Sequence, residues 1–181
     1  YKLDRLFNTL DANIEITASQ LLFKGDAAHN AKINLTIFDN NLTIKEASVA
    51  DFAGVGASLA GILTNKKDQP TLSIDYAIVV RDTDRLARFI GAPLPISAAR
   101  LGEISSNGHV DGTLEGLKAT LHVKALGADT NMDGSIGNLL IEPHLDLAVS
   151  FKHPNLTTLV RKLAPGYRPA AEKLGPVNAS F

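Results

Sequence analysis

The sequence predicts a mainly β protein with a few short helices, a curved antiparallel sheet or groove built from two repeated units of about 73 residues. Three observations point there. Apolar and polar residues alternate with period two in stretch after stretch, polar or glycine-containing turn signals fall between the stretches, and one strand–helix pattern recurs at a constant offset.

The alternation is explicit in Asn13-Ile14-Glu15-Ile16-Thr17, Lys32-Ile33-Asn34-Leu35-Thr36-Ile37 and Asn41-Leu42-Thr43-Ile44-Lys45. It returns in Thr71–Ile78, Thr120-Leu121-His122-Val123-Lys124 and His144–Val149. Each run sends apolar side chains to one face and polar ones to the other, as in an antiparallel sheet solvated on one side. Turns are expected at Asp39-Asn40-Asn41, Asn65-Lys66-Lys67-Asp68, Asp111-Gly112 and Asp133-Gly134, which divide the chain into eight to eleven strands.

Three stretches carry helical spacing instead. Leu3, Leu6, Phe7 and Leu10 lie at i, i+3, i+4 and i+7; Leu86, Phe89 and Ile90 follow Asp82, an N-cap residue type; Leu156, Leu159, Val160 and Leu163 follow Asn155. Shifting residues 61–91 by 73 positions places them on 134–164 without a gap. Gly61 then meets Gly134, Asn65 meets Asn138, Pro70 meets Pro143, Leu72 meets Leu145, Leu86 meets Leu159 and Arg88 meets Arg161. The expected division is one β-rich region over 1–181, with units at approximately 12–92 and 101–165. Residues 166–181, with Pro169, Pro176 and Asn178-Ala179-Ser180, lack periodicity and read as a C-terminal tail.

Composition narrows the function classes. Eighteen Lys and Arg against nineteen Asp and Glu, without a basic cluster, argue against a nucleic-acid partner. The absence of cysteine removes disulfides, thiolate metal sites and cysteine nucleophiles. No apolar run approaches the ~20 residues that a membrane-spanning helix needs. The chain opens on Tyr1 and is expected to be a segment of a longer protein, with any membrane anchor outside it.

Several motifs suggest chemistry without completing it. Asp129–Gly134 matches the first half of a calcium loop, but its twelfth position is Leu140 rather than Glu. Gly54-Val55-Gly56 completes no phosphate loop, and Gly56–Ala60 lacks the last glycine of a nucleophile elbow around Ser58. His29, His109, His122, His144 and His153 show no metal-ligand spacing, and the Asn-x-Ser/Thr triplets at Asn34, Asn41, Asn155 and Asn178 matter only in a glycosylating compartment. No catalytic residue, metal or cofactor is expected.

What remains is the apolar phase of the strands. Ile33, Leu35, Ile37, Leu42, Ile44, Leu72, Ile74, Tyr76, Ile78, Leu121, Val123, Leu145, Leu147, Val149 and Phe151 are the candidate lipid-groove residues. They are either ordinary core packed against the short helices, or the inner wall of a trough. A trough of this composition suits acyl chains, since each buried methylene contributes ~0.8 kcal/mol whichever lipid carries it.

Leu10-Asp11-Ala12-Asn13-Ile14, Asn41-Leu42-Thr43-Ile44 and the small-residue run Ala53–Gly61, followed by Pro70-Thr71-Leu72, Thr83-Asp84-Arg85-Leu86 and Gly108-His109-Val110-Asp111-Gly112, make up a cycle of strands and a short helix. In this cycle the chain resembles the C-terminal, periplasmic region of AsmA-like proteins, which are related to TamB-like and other bridge-like envelope proteins. The resemblance implies a Gram-negative periplasmic location, an inner-membrane anchor outside this segment, and a part in outer-membrane integrity. It implies phospholipid as partner and offers no catalytic residue. The expected function is non-enzymatic binding or conduction of acyl chains. The alternatives are a scaffold with a fully packed core that binds envelope proteins through strand edges, and a glycan- or metal-binding β-domain.

Overall fold

A computed structural model describes residues 11–66, 69–92, 98–113, 115–138, 142–164, 166 and 174–181. The helix expected at 3–10 and part of the turn expected at 65–68 lie outside them. Ten strands follow in chain order: β1 (Ala12–Phe23), β2 (Asp26–Phe38), β3 (Asn41–Phe52), β4 (Val55–Lys66), β5 (Gln69–Val80), β6 (Ile104–Thr113), β7 (Gly116–Ala125), β8 (Ala128–Gly137), β9 (His144–His153) and β10 (Val177–Ser180). Helix α1 (Thr83–Ile90) follows β5, a single turn α2 (Ala98–Leu101) precedes β6, and α3 (Leu156–Leu163) follows β9.

All ten strands form one open, curved sheet in the order β1 to β10, and each neighbouring pair is antiparallel. The mainly β class therefore holds. Two repeated units are not shown: β5 pairs directly with β6, so one sheet joins the two expected units. The short helices do recur where the spacing places them, each opened by the expected cap: Asp82 accepts the N–H of Arg85 at 2.9 Å, and Asn155 that of Thr158 at 3.1 Å.

The turns differ from expectation in an instructive way. Lys24-Gly25, Asp39-Asn40, Ala53-Gly54 and Leu126-Gly127 each place two successive residues at positive φ, the two-residue hairpin geometry that matches strand twist. Only Asp39-Asn40 was legible, since the others put Lys, Ala or Leu where Asn or Asp usually stands. Conversely, Asp111-Gly112 lies inside β6 and Asp133-Gly134 inside β8, so neither is a turn. At Gly134 an added Cβ would run into the carbonyl of Asp146 and the backbone of Leu147 on β9. That glycine lets two strands approach; it does not reverse the chain.

Residues 166–181 are not a free tail throughout. Val177–Ser180 form β10 on β9, and the N–H of Leu174 donates to Thr157 Oγ1 at 2.8 Å, tying the approach to α3. The helices sit at one end of the sheet, beside the turns Lys24-Gly25, Ala53-Gly54 and Leu126-Gly127. The Gly54 carbonyl accepts from the N–H groups of Arg81 (2.8 Å) and Asp82 (3.2 Å) at the start of α1. Arg85 bridges Asp51 (2.9 Å) and Asp26 (2.8 Å), and these two carboxylates raise its pKa above the ordinary guanidinium value. Phe89 meets Phe52 edge-on, with centroids 4.8 Å apart. At the junction of β9 and α3, buried His153 donates from Nε2 to the Leu126 carbonyl (3.2 Å) and accepts the Asn155 N–H at Nδ1 (3.0 Å). Neutral histidine with the proton on Nε2 satisfies both contacts.

The hydrophobic interior is correspondingly thin. Ala53, Leu117, Ala119, Ala128 and Leu159 are the buried apolar residues, and among the described residues no large side chain is fully buried. The chain exposes 12154 Å², where a compact chain of this mass would expose about 8,400 Å². Replacing Gly134 with Ala is expected to cost about 2 kcal/mol or more in urea unfolding. Gly116→Ala, where an added Cβ has nothing within 4 Å, should change stability by less than about 0.5 kcal/mol.

Candidate functional site

In an antiparallel sheet, residues paired across strands project to the same face, so the register alone sorts every side chain. One row runs Ile14, Leu35, Ile44, Gly61, Ile74, Val110, Ala119, Gly134, Leu147 across β1 to β9. The next runs Leu59, Tyr76, Gly108, Leu121, Met132, Val149 across β4 to β9, with Phe181 hydrogen-bonded to Val149 beyond it. A third runs Ile37, Leu42, Leu63, Leu72, Gly112, Leu117, Ile136, Leu145. Ile33, Ile78, Val123 and Phe151 belong to the same face, through Ala47, Ala57, Ser106 and Thr130.

All fifteen residues singled out from the sequence thus share one face of one sheet. None of them is buried. Twelve are half-buried, while Ile33, Ile78 and Leu145 are exposed, Leu145 to 66%. The helices are held at the turn end of the sheet, and Leu117 and Ala119 on β7, which share these rows, are buried. The arrangement in which the fifteen form a core packed under the helices is therefore not the one adopted.

Sequence reasoning missed several members of this face. Ile136 and Met132 on β8 sit among Asp, Asn and Ser residues, and Val110 on β6 is flanked by His109 and Asp111, so no apolar run marks them. Their signal was period two with glycine in apolar phase, at Gly108, Gly112 and Gly134. Tyr76, the one polar-tipped residue of the fifteen, places its hydroxyl 3.0 Å from Ser106 Oγ on the same face.

A bulge keeps this face continuous. Leu35 pairs Ile44 and Asn34 pairs Glu46, so Lys45 is an extra residue on β3. The alternation in the sequence loses its phase at Lys45, and the bulge restores it by returning Ala47 to the side of Ile44.

The opposite face is polar and paired locally. His109 stands 2.7 Å from Asp75 Oδ1 through Nδ1 and 3.5 Å from Ser73 Oγ through Nε2. This order of groups is that of a nucleophile, base and orienting carboxylate. Yet the serine contact is at the outer limit of a hydrogen bond, and Asp75 is 75% exposed on its side chain. So solvated an array lacks the low-dielectric surroundings that activate a nucleophile. His122 donates to Asn131 Oδ1 at 2.6 Å, and Thr120 donates to Asp133 at 2.8 Å. Lys32 and Glu46 pair at 2.9 Å; hydrogen bonding to each other raises the Lys32 pKa and lowers that of Glu46, with Ser48 also donating to Glu46. Two open hollows of about 520 and 390 Å³ lie mainly on this polar face, lined by residues such as Asp111, Lys118, Asp133 and Asp146, and Asp75, His109, His122 and Asn131.

Among the described residues no group of three or more His, Asp or Glu side chains is arranged to hold a metal ion. Asp129 and Asp133 both lie on β8, four residues apart and hence about 13 Å apart along the strand. They cannot share a calcium ion. Millimolar calcium is expected to leave the thermal midpoint unmoved, and a calcium-dependent rise in scanning calorimetry would contradict this assignment. No family model, curated protein or solved structure matches the chain.

Proposed function

We propose that this chain binds phospholipid acyl chains along the apolar face of its sheet, as a non-enzymatic periplasmic module of an AsmA-like envelope protein. In this reading the inner-membrane anchor lies outside the segment, and lipid handling supports the outer membrane. The observation that carries it is the collection of fifteen apolar side chains on one face of a ten-stranded sheet, with none of them buried. Proteins seldom leave a contiguous apolar patch larger than a few hundred Å² in water without a partner for it.

The mechanism follows from elementary terms. Apolar rows cross up to nine strands at ~4.8 Å per gap, so a hydrocarbon lying along a row meets side chains throughout its length. Each methylene removed from water contributes ~0.8 kcal/mol, with no directional bond to specify the lipid. Head groups stay in water at the open side, and chain-length discrimination is weak. The strand bulges on β3 and the glycines at Gly61, Gly108 and Gly134 favour bending of the sheet, as deliberate curvature requires. The scaffold alternative loses its premise of a fully packed core, since no large side chain among the described residues is fully buried.

Purified protein is expected to carry phospholipid that organic extraction and native mass spectrometry detect. Ile74→Asp combined with Leu147→Asp should strip that lipid while leaving the circular dichroism spectrum intact, because both positions face outward from a single layer. If instead the double variant unfolds, or if the parent protein yields no lipid, the acyl-binding role fails.

A further inference from the structure

The far tip of the β1–β2 hairpin has a composition the acyl-binding face does not account for. Successive strand residues point to opposite faces, so Leu22 projects to one side of the hairpin and Leu21 and Phe23 to the other. All three are exposed, Leu22 to 79% and Phe23 to 56%. Across from Leu21 and Leu22 on β2 stand Ala28 and Ala27, which add no polar cover, while Asp26, across from Phe23, is held by Arg85. A strand solvated on one face keeps its polar phase; here the alternation is abandoned for the last turn of the ribbon.

The tip does not stand alone. The Phe23 ring lies 6.5 Å from that of Phe89 in α1 and 6.3 Å from that of Phe52, an aromatic base that joins the hairpin to the helix end. Ile90, the last residue of α1, is 58% exposed. Two cations accompany these groups: Lys24 at the turn, with Nζ 5.5 Å from the Phe23 ring centroid, and exposed Arg88 in the last turn of α1. The nearby carboxylates of Asp26 and Asp51 are already engaged by Arg85.

We propose that this tip is a membrane-docking site, which inserts Leu22, Phe23 and Ile90 into the interface of an anionic phospholipid bilayer while Lys24 and Arg88 engage its head groups. A wedge that is apolar on both faces, with a cation at its turn, needs a medium that closes around its sides and offers anions at its end. A fluid bilayer does this, whereas a folded partner presents one surface. Apolar groups flanked by Lys and Arg are the combination that binds anionic interfaces. The end of α3 repeats it, with Arg161 and Lys162 preceding Leu163, itself 47% exposed, on a helix that starts at the same end of the sheet. The proposal is independent of acyl binding on the sheet face.

Vesicle flotation tests it, with phosphatidylcholine alone and with an equal mixture of phosphatidylcholine and phosphatidylglycerol. The parent protein is expected to float with the mixed vesicles and to be released by high salt. Leu22→Asp with Ile90→Asp should weaken that binding at least about tenfold, and Lys24→Glu with Arg88→Glu by a similar factor. These positions are exposed, so unfolding midpoints should match the parent. Leu147→Asp should leave flotation unchanged, which separates docking from acyl binding. Equal binding to both vesicle types, or unchanged binding of the Leu22/Ile90 variant, overturns the proposal. So does the finding that the same substitutions abolish self-association in sedimentation while the parent ignores vesicles, because the tip would then be a contact between copies.

Discussion

Everything in this molecule depends on the unbroken antiparallel ladder from β1 to β10. Each interior strand satisfies its backbone groups on two neighbours, so the sheet needs no second layer to pair its N–H and C=O groups. The ladder also transmits register. A slip of one residue anywhere would turn a strand's apolar side chains to the polar face. The chain tolerates an extra residue at Lys45 because the same strand's apolar phase shifts there, so that Ile44 and Ala47 end on one side.

That architecture leaves an energetic account unlike that of a two-layer domain, in which a sheet buries its apolar face against helices or another sheet. Here α1 and α3 are tied to one end of the sheet through caps, an Arg85 clamp and the His153 hydrogen bonds. Stability rests on cross-strand pairs, half-buried side chains and tight turns. An apolar ligand on the open face would add the burial that the protein itself does not provide.

The two faces divide the chemistry. On the polar side, charged and polar groups are met by near neighbours: Lys32 pairs with Glu46, and His109 hydrogen-bonds Asp75. The serine–histidine–carboxylate array there is exposed to solvent. On the apolar side, low specificity and long reach go together, because dispersion and desolvation carry no directional preference.

The period-two alternation determined the class of the protein and which residues share a face, and helical spacing after Asp82 and Asn155 determined the helix caps. Those are local properties: strand parity depends only on sequence spacing, and a cap only on the three residues that follow it. The local signal misled where Asp-Gly suggested turns at 111–112 and 133–134, since glycine there answers to the close approach of the next strand, at Gly116 and at Asp146. It was silent on Leu21–Phe23, whose apolar tip is visible only once hairpin and helix end meet. Whether the apolar rows were sealed or open was likewise decided by tertiary structure alone. Burial is a property of what lies opposite, and here the helices were drawn to the end of the sheet by Arg85, Phe89 and His153.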